Sequence, residues 1–196
     1  AFRYLASNQG VDSSLLKEVE QVNDRRIDLF LKKLSQAVWV LQGKTIAIWG
    51  LAFKPGTDDI RDAASLRIIK RLNAERSFLR LYDPRAMKNT QSLFPEQPGR
   101  LIYCSSPYQA AQGAHAVLLV TEWDEFRGLD LARVRESMEV PVFVDGRNLY
   151  DPQEMRRLGF EYFCMGRSHA GAARYPASGM IHPPYALPLN EAESPC

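Results

Sequence analysis

The chain has 196 residues, 45% of them apolar and 24% charged, with a net charge of +2. That length holds one well-buried domain plus an appendage, and the near-neutral balance excludes a nucleic-acid or membrane-surface binder that works through a basic field. No apolar run reaches the roughly 18 residues of a membrane span, and there is no signal peptide. The cysteines Cys104, Cys164 and Cys196 are an odd set, and His115, His169 and His182 do not cluster with them in any ligand spacing. Reduced thiols, no zinc site and a cytoplasmic protein are therefore expected.

The segment from Phe2 to about Val40 reads as helical. Ser13 or Ser14 can cap a helix whose apolar residues Leu16, Val19, Ile27, Phe30, Leu34 and Val38 recur mostly at three- and four-residue steps. Gly10 separates it from a shorter helix before it. A helix of roughly 25 residues is long for a compact domain and suits a rod that joins domains or packs on a partner chain. The chain opens on Ala1 rather than Met, directly into helical sequence, which reads as a fragment of a longer protein.

At Gly43-Lys44 the period changes. Strands are expected at Thr45–Trp49, Phe78–Tyr82, Leu101–Cys104, Ala116–Val120, Val142–Val144 and Tyr162–Met165. Helical patterns lie between them at Ala63–Asn73, Tyr108–Gln112, Asp130–Ser137 and Pro152–Leu158. Such alternation predicts an α/β fold, a Rossmann-like doubly wound parallel sheet of about six strands preceded by the long connecting helix. The expected divisions are 1–42 for the connecting helix region, 43–167 for the sheet domain and 168–196 for a disordered tail. That tail carries Pro176, Pro183, Pro184, Pro188 and Pro195 with no periodicity.

Ligands of open parallel sheets bind beyond the carboxyl ends of the strands, so the loops there are the candidates. After the first strand, Gly50–Arg61 reads GLAFKPGTDDIR. It lacks the G-x-G-x-x-G dinucleotide fingerprint, but Lys54 and Arg61 ahead of a helix expected near Asp62 suit an anionic ligand. Equally, Asp58 and Asp59 could cap that helix and pair with Arg61. Asp83, before Pro84, is either a turn residue, the stronger reading, or a ribose acceptor. Thr121–Phe126, reading TEWDEF, is either a lid or a seal on the core. After the fifth strand, Asp145-Gly146-Arg147-Asn148 projects an arginine whose partner is either Asp145 or a ligand. Lys54, Arg61 and Arg147 thus converge on one edge of the sheet.

Together these segments resemble the UDP-glucose/GDP-mannose dehydrogenase family, in its C-terminal domain. The matching pieces are Val22-Asn23, Gly50–Arg61, Tyr82-Asp83-Pro84, Val120–Phe126, Val144–Asn148 (VDGRN) and Gly159-Phe160 leading to Gly166, in family order. The TEW-x-EF piece points to the UDP-glucose branch. The resemblance implies two Rossmann-like domains joined by a long helix, with NAD bound mainly by the N-terminal domain and the UDP-sugar largely by this one. It implies oxidation of UDP-glucose to UDP-glucuronate through a cysteine nucleophile, whose G-F-G-G-x-C-F-P-K-D motif is not in this sequence, so no catalytic residue is expected here. It assigns Phe53, Lys54 and Arg147 to the substrate and Arg61 to NAD, and it implies a homodimer built on the long helix. The alternatives are a dehydrogenase of another nucleotide sugar, either a UDP-N-acetyl sugar or GDP-mannose, and a non-catalytic nucleotide-binding module.

Overall fold

A computed structural model describes residues 14–166. The short first helix, its break at Gly10 and the Pro-rich tail lie outside the described residues. Helix α1 (Ser14–Val38) opens the described chain. It buries Phe30, Leu31 and Leu34, while Val19, Val22 and Leu29 remain about half exposed. The helix thus carries more apolar surface than the sheet covers. The helix stops where Trp39 takes a left-handed φ of 62° and donates its N–H to the Ser35 carbonyl.

Strands β1 (Thr45–Trp49), β2 (Phe78–Tyr82), β3 (Leu101–Tyr103), β4 (Ala116–Leu119), β5 (Val142–Asp145) and β6 (Glu161–Cys164) form one sheet. Its order is β3-β2-β1-β4-β5-β6, and every pairing is parallel. The strands β1, β4 and β5 are near-continuous apolar runs, as burial on both faces requires. Between them run α2 (Ala64–Ala74), α3 (Met87–Leu93), α4 (Pro107–Ala111), α5 (Asp124–Arg127), α6 (Leu131–Ser137) and α7 (Pro152–Arg157). The expected α/β class and six strands are found, each within a residue of its expected ends. Helices α3 and α5 are additional to those expected. Both are short, α5 being a single turn, so neither offers a period long enough to read.

The sequence reverses direction across the sheet between β1 and β4, the switch point at whose carboxyl side open α/β sheets bind their ligands. The core beneath it is aromatic. Trp49 stacks on Phe126 at 5.5 Å and meets Phe143 edge-on at 5.6 Å. Helix α1 is moored twice. Asp24 and Asp28 on its surface pair with Arg67 and Arg71 on α2, and Phe30 sits against Gly146, where any Cβ would lie 3.1 Å from its ring and 2.9 Å from the Leu119 carbonyl.

At the opposite, amino end of the sheet, His115 and Thr45 exchange two bonds. The His115 N–H donates to the Thr45 carbonyl at 2.7 Å, and Nδ1 accepts the Thr45 N–H at 3.2 Å. A proton on Nδ1 would face that N–H. Burial, then the nearby Lys44, hold the His115 imidazole below its ordinary pKa, against a smaller opposing pull from Glu139. The folded state thus binds this proton more weakly than the unfolded chain. Its stabilising contribution is complete above the usual histidine range and is lost as pH falls through the depressed folded value. Between about pH 7 and about pH 5 the urea midpoint is expected to fall, and His115→Gln is expected to reduce that fall. Equal slopes for the two proteins would show that His115 is not the group responsible.

Candidate functional site

The crest of the sheet is organised by two buried aspartates. Asp83, at the end of β2, is fully buried. Its Oδ2 accepts from Leu51 N at 2.6 Å, Ala52 N at 3.1 Å and Trp123 Nε1 at 2.9 Å. Its Oδ1 accepts from Arg85 N at 2.8 Å and Ala86 N at 2.7 Å. These donors saturate the carboxylate, which corrects the ribose-acceptor alternative: Asp83 is a turn residue that also holds the β1 and β4 loops. Trp123 and Phe126 are buried too, so TEWDEF seals the core. Its other ties are Thr121 Oγ1 donating to the Ala52 carbonyl at 2.6 Å and Tyr82 OH donating to Glu125 Oε1 at 2.6 Å. Burial first, then Glu125, push the Tyr82 hydroxyl's pKa up, so it stays a donor.

The β1 loop leaves the sheet at Gly50, with φ 88° and a Cβ position only 2.5 Å from Thr121 N. Any side chain there would separate the two loops. Beyond it Phe53 and Lys54 stand exposed on the crest. The loop is braced from the β2 side by Arg85 Nη1 on the Gly56 carbonyl at 2.9 Å and Asn89 Nδ2 on the Asp58 carbonyl at 2.9 Å. Phe53 N donates to the Asp59 carbonyl at 2.8 Å, closing the loop on itself.

Asp59 does not cap α2, which starts after Ala63 with no side-chain cap. Asp62 has φ 58°, so the helix begins two residues later than expected. Instead the Asp59 carboxylate grips Arg61 by both oxygens, with Nε 3.0 Å from Oδ1 and Nη2 2.7 Å from Oδ2. Hydrogen bonding from Arg61 holds Asp59 down at about 2. The Arg61 side chain is 88% exposed, so this pair adds little stability and turns a fork outward.

Asp145 is the counterpart of Asp83 on the far side. Fully buried, it accepts from Arg147 N at 2.8 Å, Leu149 N at 2.7 Å, Tyr150 N at 3.2 Å and Tyr162 OH at 2.7 Å. It takes the Arg147 backbone N–H, but the guanidinium makes its contacts elsewhere, which corrects the alternative that pairs that guanidinium with Asp145. The guanidinium reaches across to the β4 loop. Nε donates to the Val120 carbonyl at 2.6 Å and lies 3.0 Å from Glu122 Oε2. Neither Nη has a hydrogen-bond partner among the described residues.

Phe53, Lys54 and Arg147 thus share one crest, on loops joined through Ala52, Thr121 and Glu122. Arg61 lies at its outer margin. Glu122 is the residue that sequence reasoning missed, because its partner is remote in the chain and no local spacing connects them. The Gly50–Gly56 loop offers no glycine cradle for a dinucleotide pyrophosphate, since Gly50 faces Thr121. Among the described residues no His, Cys, Asp and Glu cluster could hold a metal ion, and no helix is long and apolar enough to cross a membrane.

The strand order, with cations on the loops at the carboxyl ends, is that of the Rossmann-like class. Comparison with known proteins narrows it. Residues 47–152 match the model of the UDP-glucose/GDP-mannose dehydrogenase family, UDP binding domain, and the chain belongs to that family. It is 45% identical over 178 residues to a UDP-glucose 6-dehydrogenase of Pseudomonas aeruginosa, covering 88% of this chain and 39% of that protein. It is 36% identical over 163 residues to UDP-glucose 6-dehydrogenase YwqF of Bacillus subtilis, covering 83% of this chain and 36% of the relative. The chain therefore spans less than two fifths of the length of these relatives. The fold matches that of a UDP-glucose dehydrogenase from Pyrobaculum islandicum, with a TM-score of 0.69 at 24% identity over 83% of this chain and 34% of the other.

Asp83→Asn tests the keystone. Either orientation of the amide places an NH₂ against at least two N–H donors. A loss of about 3 kcal/mol in unfolding free energy is expected by urea denaturation, and a loss below about 1 kcal/mol would show the carboxylate's bonds to be incidental.

Proposed function

We propose that this chain is the UDP-sugar-binding part of an NAD-dependent UDP-glucose 6-dehydrogenase acting in the cytoplasm. The observation that carries this reading is Arg147, held at Nε while both Nη nitrogens are unengaged on the crest it shares with Phe53 and Lys54. A guanidinium fixed at one edge presents its outer fork to a diphosphate without further ordering. Lys54 supplies a second, mobile donor, and the exposed ring of Phe53 beside it covers the apolar edge of a bound sugar nucleotide. The relatives named above, and the UDP binding domain of the family, support the same substrate.

NAD, when bound, supplies the hydride acceptor. The main dinucleotide fold and the nucleophilic cysteine belong to parts of the enzyme outside this chain, whose own contribution to the cofactor is Arg61. The domain division at 43–167, with 1–42 as connector and 168–196 as tail, is part of the same reading. The fitting test is titration of the chain with UDP. Arg147→Lys is expected to weaken UDP binding by about 1–3 kcal/mol, with a change in stability below about 1 kcal/mol because the Glu122 pair is part-exposed. A wild-type chain that ignores UDP would sink the assignment.

The second partner is another copy of the chain, seated on α1. Val19, Val22 and Leu29 on α1 remain about half exposed and leave apolar surface for such a partner. Light scattering should give a dimer for the chain and a monomer for Leu29→Asp with unchanged helix content, whereas a monomeric parent would refute this interface.

A further inference from the structure

We infer that Glu122 is a positioning residue for ligand binding, one that fixes the Arg147 guanidinium so that its outer fork faces the ligand; this rests on the UDP-binding reading above. The observation is an unbalanced bond count. Glu122 Oε2 lies 3.0 Å from Arg147 Nε, yet the Nε hydrogen is aligned with the Val120 carbonyl, 2.6 Å away. Oε2 is itself buried and receives no hydrogen bond from any described residue. A buried carboxylate oxygen without a donor is unfavourable, and a fold keeps one only where something else depends on it. Here the attraction to the guanidinium is what keeps the oxygen in place.

The geometry shows what depends on it. The Val120 carbonyl alone fixes one atom of Arg147 and leaves the guanidinium plane free to swing about that bond. A carboxylate charge 3.0 Å from Nε opposes that swing and holds the fork outward. Asp145 does not do this, because its bonds go to Arg147 N, Leu149 N, Tyr150 N and Tyr162 OH and not to the guanidinium. Both partners are little more than a third exposed, at 36% and 37%, so the contact is sheltered without being sealed. Ordering one long side chain before binding corresponds to about a three- to tenfold gain in affinity.

Glu122→Asp is the decisive variant, because it keeps the charge and withdraws it by one methylene. UDP binding to the full chain, measured by calorimetry, is expected to weaken about three- to tenfold in Glu122→Asp and also in Glu122→Gln. In an Arg147→Lys background the Glu122→Asp change is expected to have no further effect, since there is no guanidinium to orient. If Glu122→Gln tightens binding while Glu122→Asp leaves it unchanged, Glu122 acts only as a repulsive charge and the inference fails. It fails equally if the melting temperature falls with UDP affinity unaltered, which is the behaviour of a scaffold residue. A wild-type chain that does not bind UDP overturns the functional reading and this inference together, whereas UDP binding that depends on Arg147 and ignores Glu122 overturns this inference alone.

Discussion

The buried carboxylate of Asp83 is the constraint on which the crest depends. An ionised group out of water must be met by donors, and here they come from successive backbone N–H groups of the β1 loop, the turn after β2 and the indole of Trp123. That requirement sets the path of Leu51 and Ala52 immediately after β1, and so the point at which Phe53 and Lys54 leave the sheet. It also brings the β4 loop over the core, because Trp123 can reach Asp83 only if the strand turns inward at Thr121. Close contact between these two loops in turn demands Gly50. Residues scattered from Gly50 to Trp123 are in this way consequences of a single anion.

Asp145 repeats the device on the other side of the switch point. Its donors order the β5 loop through Leu149 and Tyr150, and Tyr162 ties that loop to β6. A further fastening comes from Asn148, whose φ of 56° directs Oδ1 to the Met165 N–H at 3.0 Å. The loops on the crest are therefore held by interior acids rather than by the cations that face outward. Lys54 and the outer nitrogens of Arg147 are left unencumbered, which a ligand site needs and a salt-bridged surface lacks.

Much of this was legible in the sequence, and the reasons differ by element. The strands β1, β4 and β5 announce themselves as short, near-continuous apolar runs, since a parallel strand must be buried on both faces. The places of Arg147 and Lys54 on the crest were legible because each lies in the loop after an apolar strand run, and loops after parallel strands gather at one edge of the sheet. The short helix α5 was not, because one turn has no period, and Phe126 within it and Trp123 before it read equally well as lid or seal. The roles of Asp83 and Asp145 were half legible. Asp-Pro signals a turn, but nothing local shows that the carboxylate will be buried under donors from another loop. The pairing of Glu122 with Arg147 was invisible. It joins β4 to β5 across the sheet, and such a contact exists only once the strand order is known.

The two forward arginines differ in a way that bears on their tasks. Arg61 spends both Nε and Nη2 on Asp59, two residues away on the same loop. That pair can move as a unit, and its 88% exposure means that water competes for every bond in it. Arg147 engages only Nε, with a carbonyl and a carboxylate on the loop after a different strand, β4, so its position is tied to a second loop of the crest. A rigid donor suits a ligand group that must be held in register. A mobile one suits a contact completed only after other elements close on the ligand. The difference in anchoring, more than the shared positive charge, is the physical basis for our proposal that Arg147 meets the sugar nucleotide and Arg61 a partner that arrives from outside the crest.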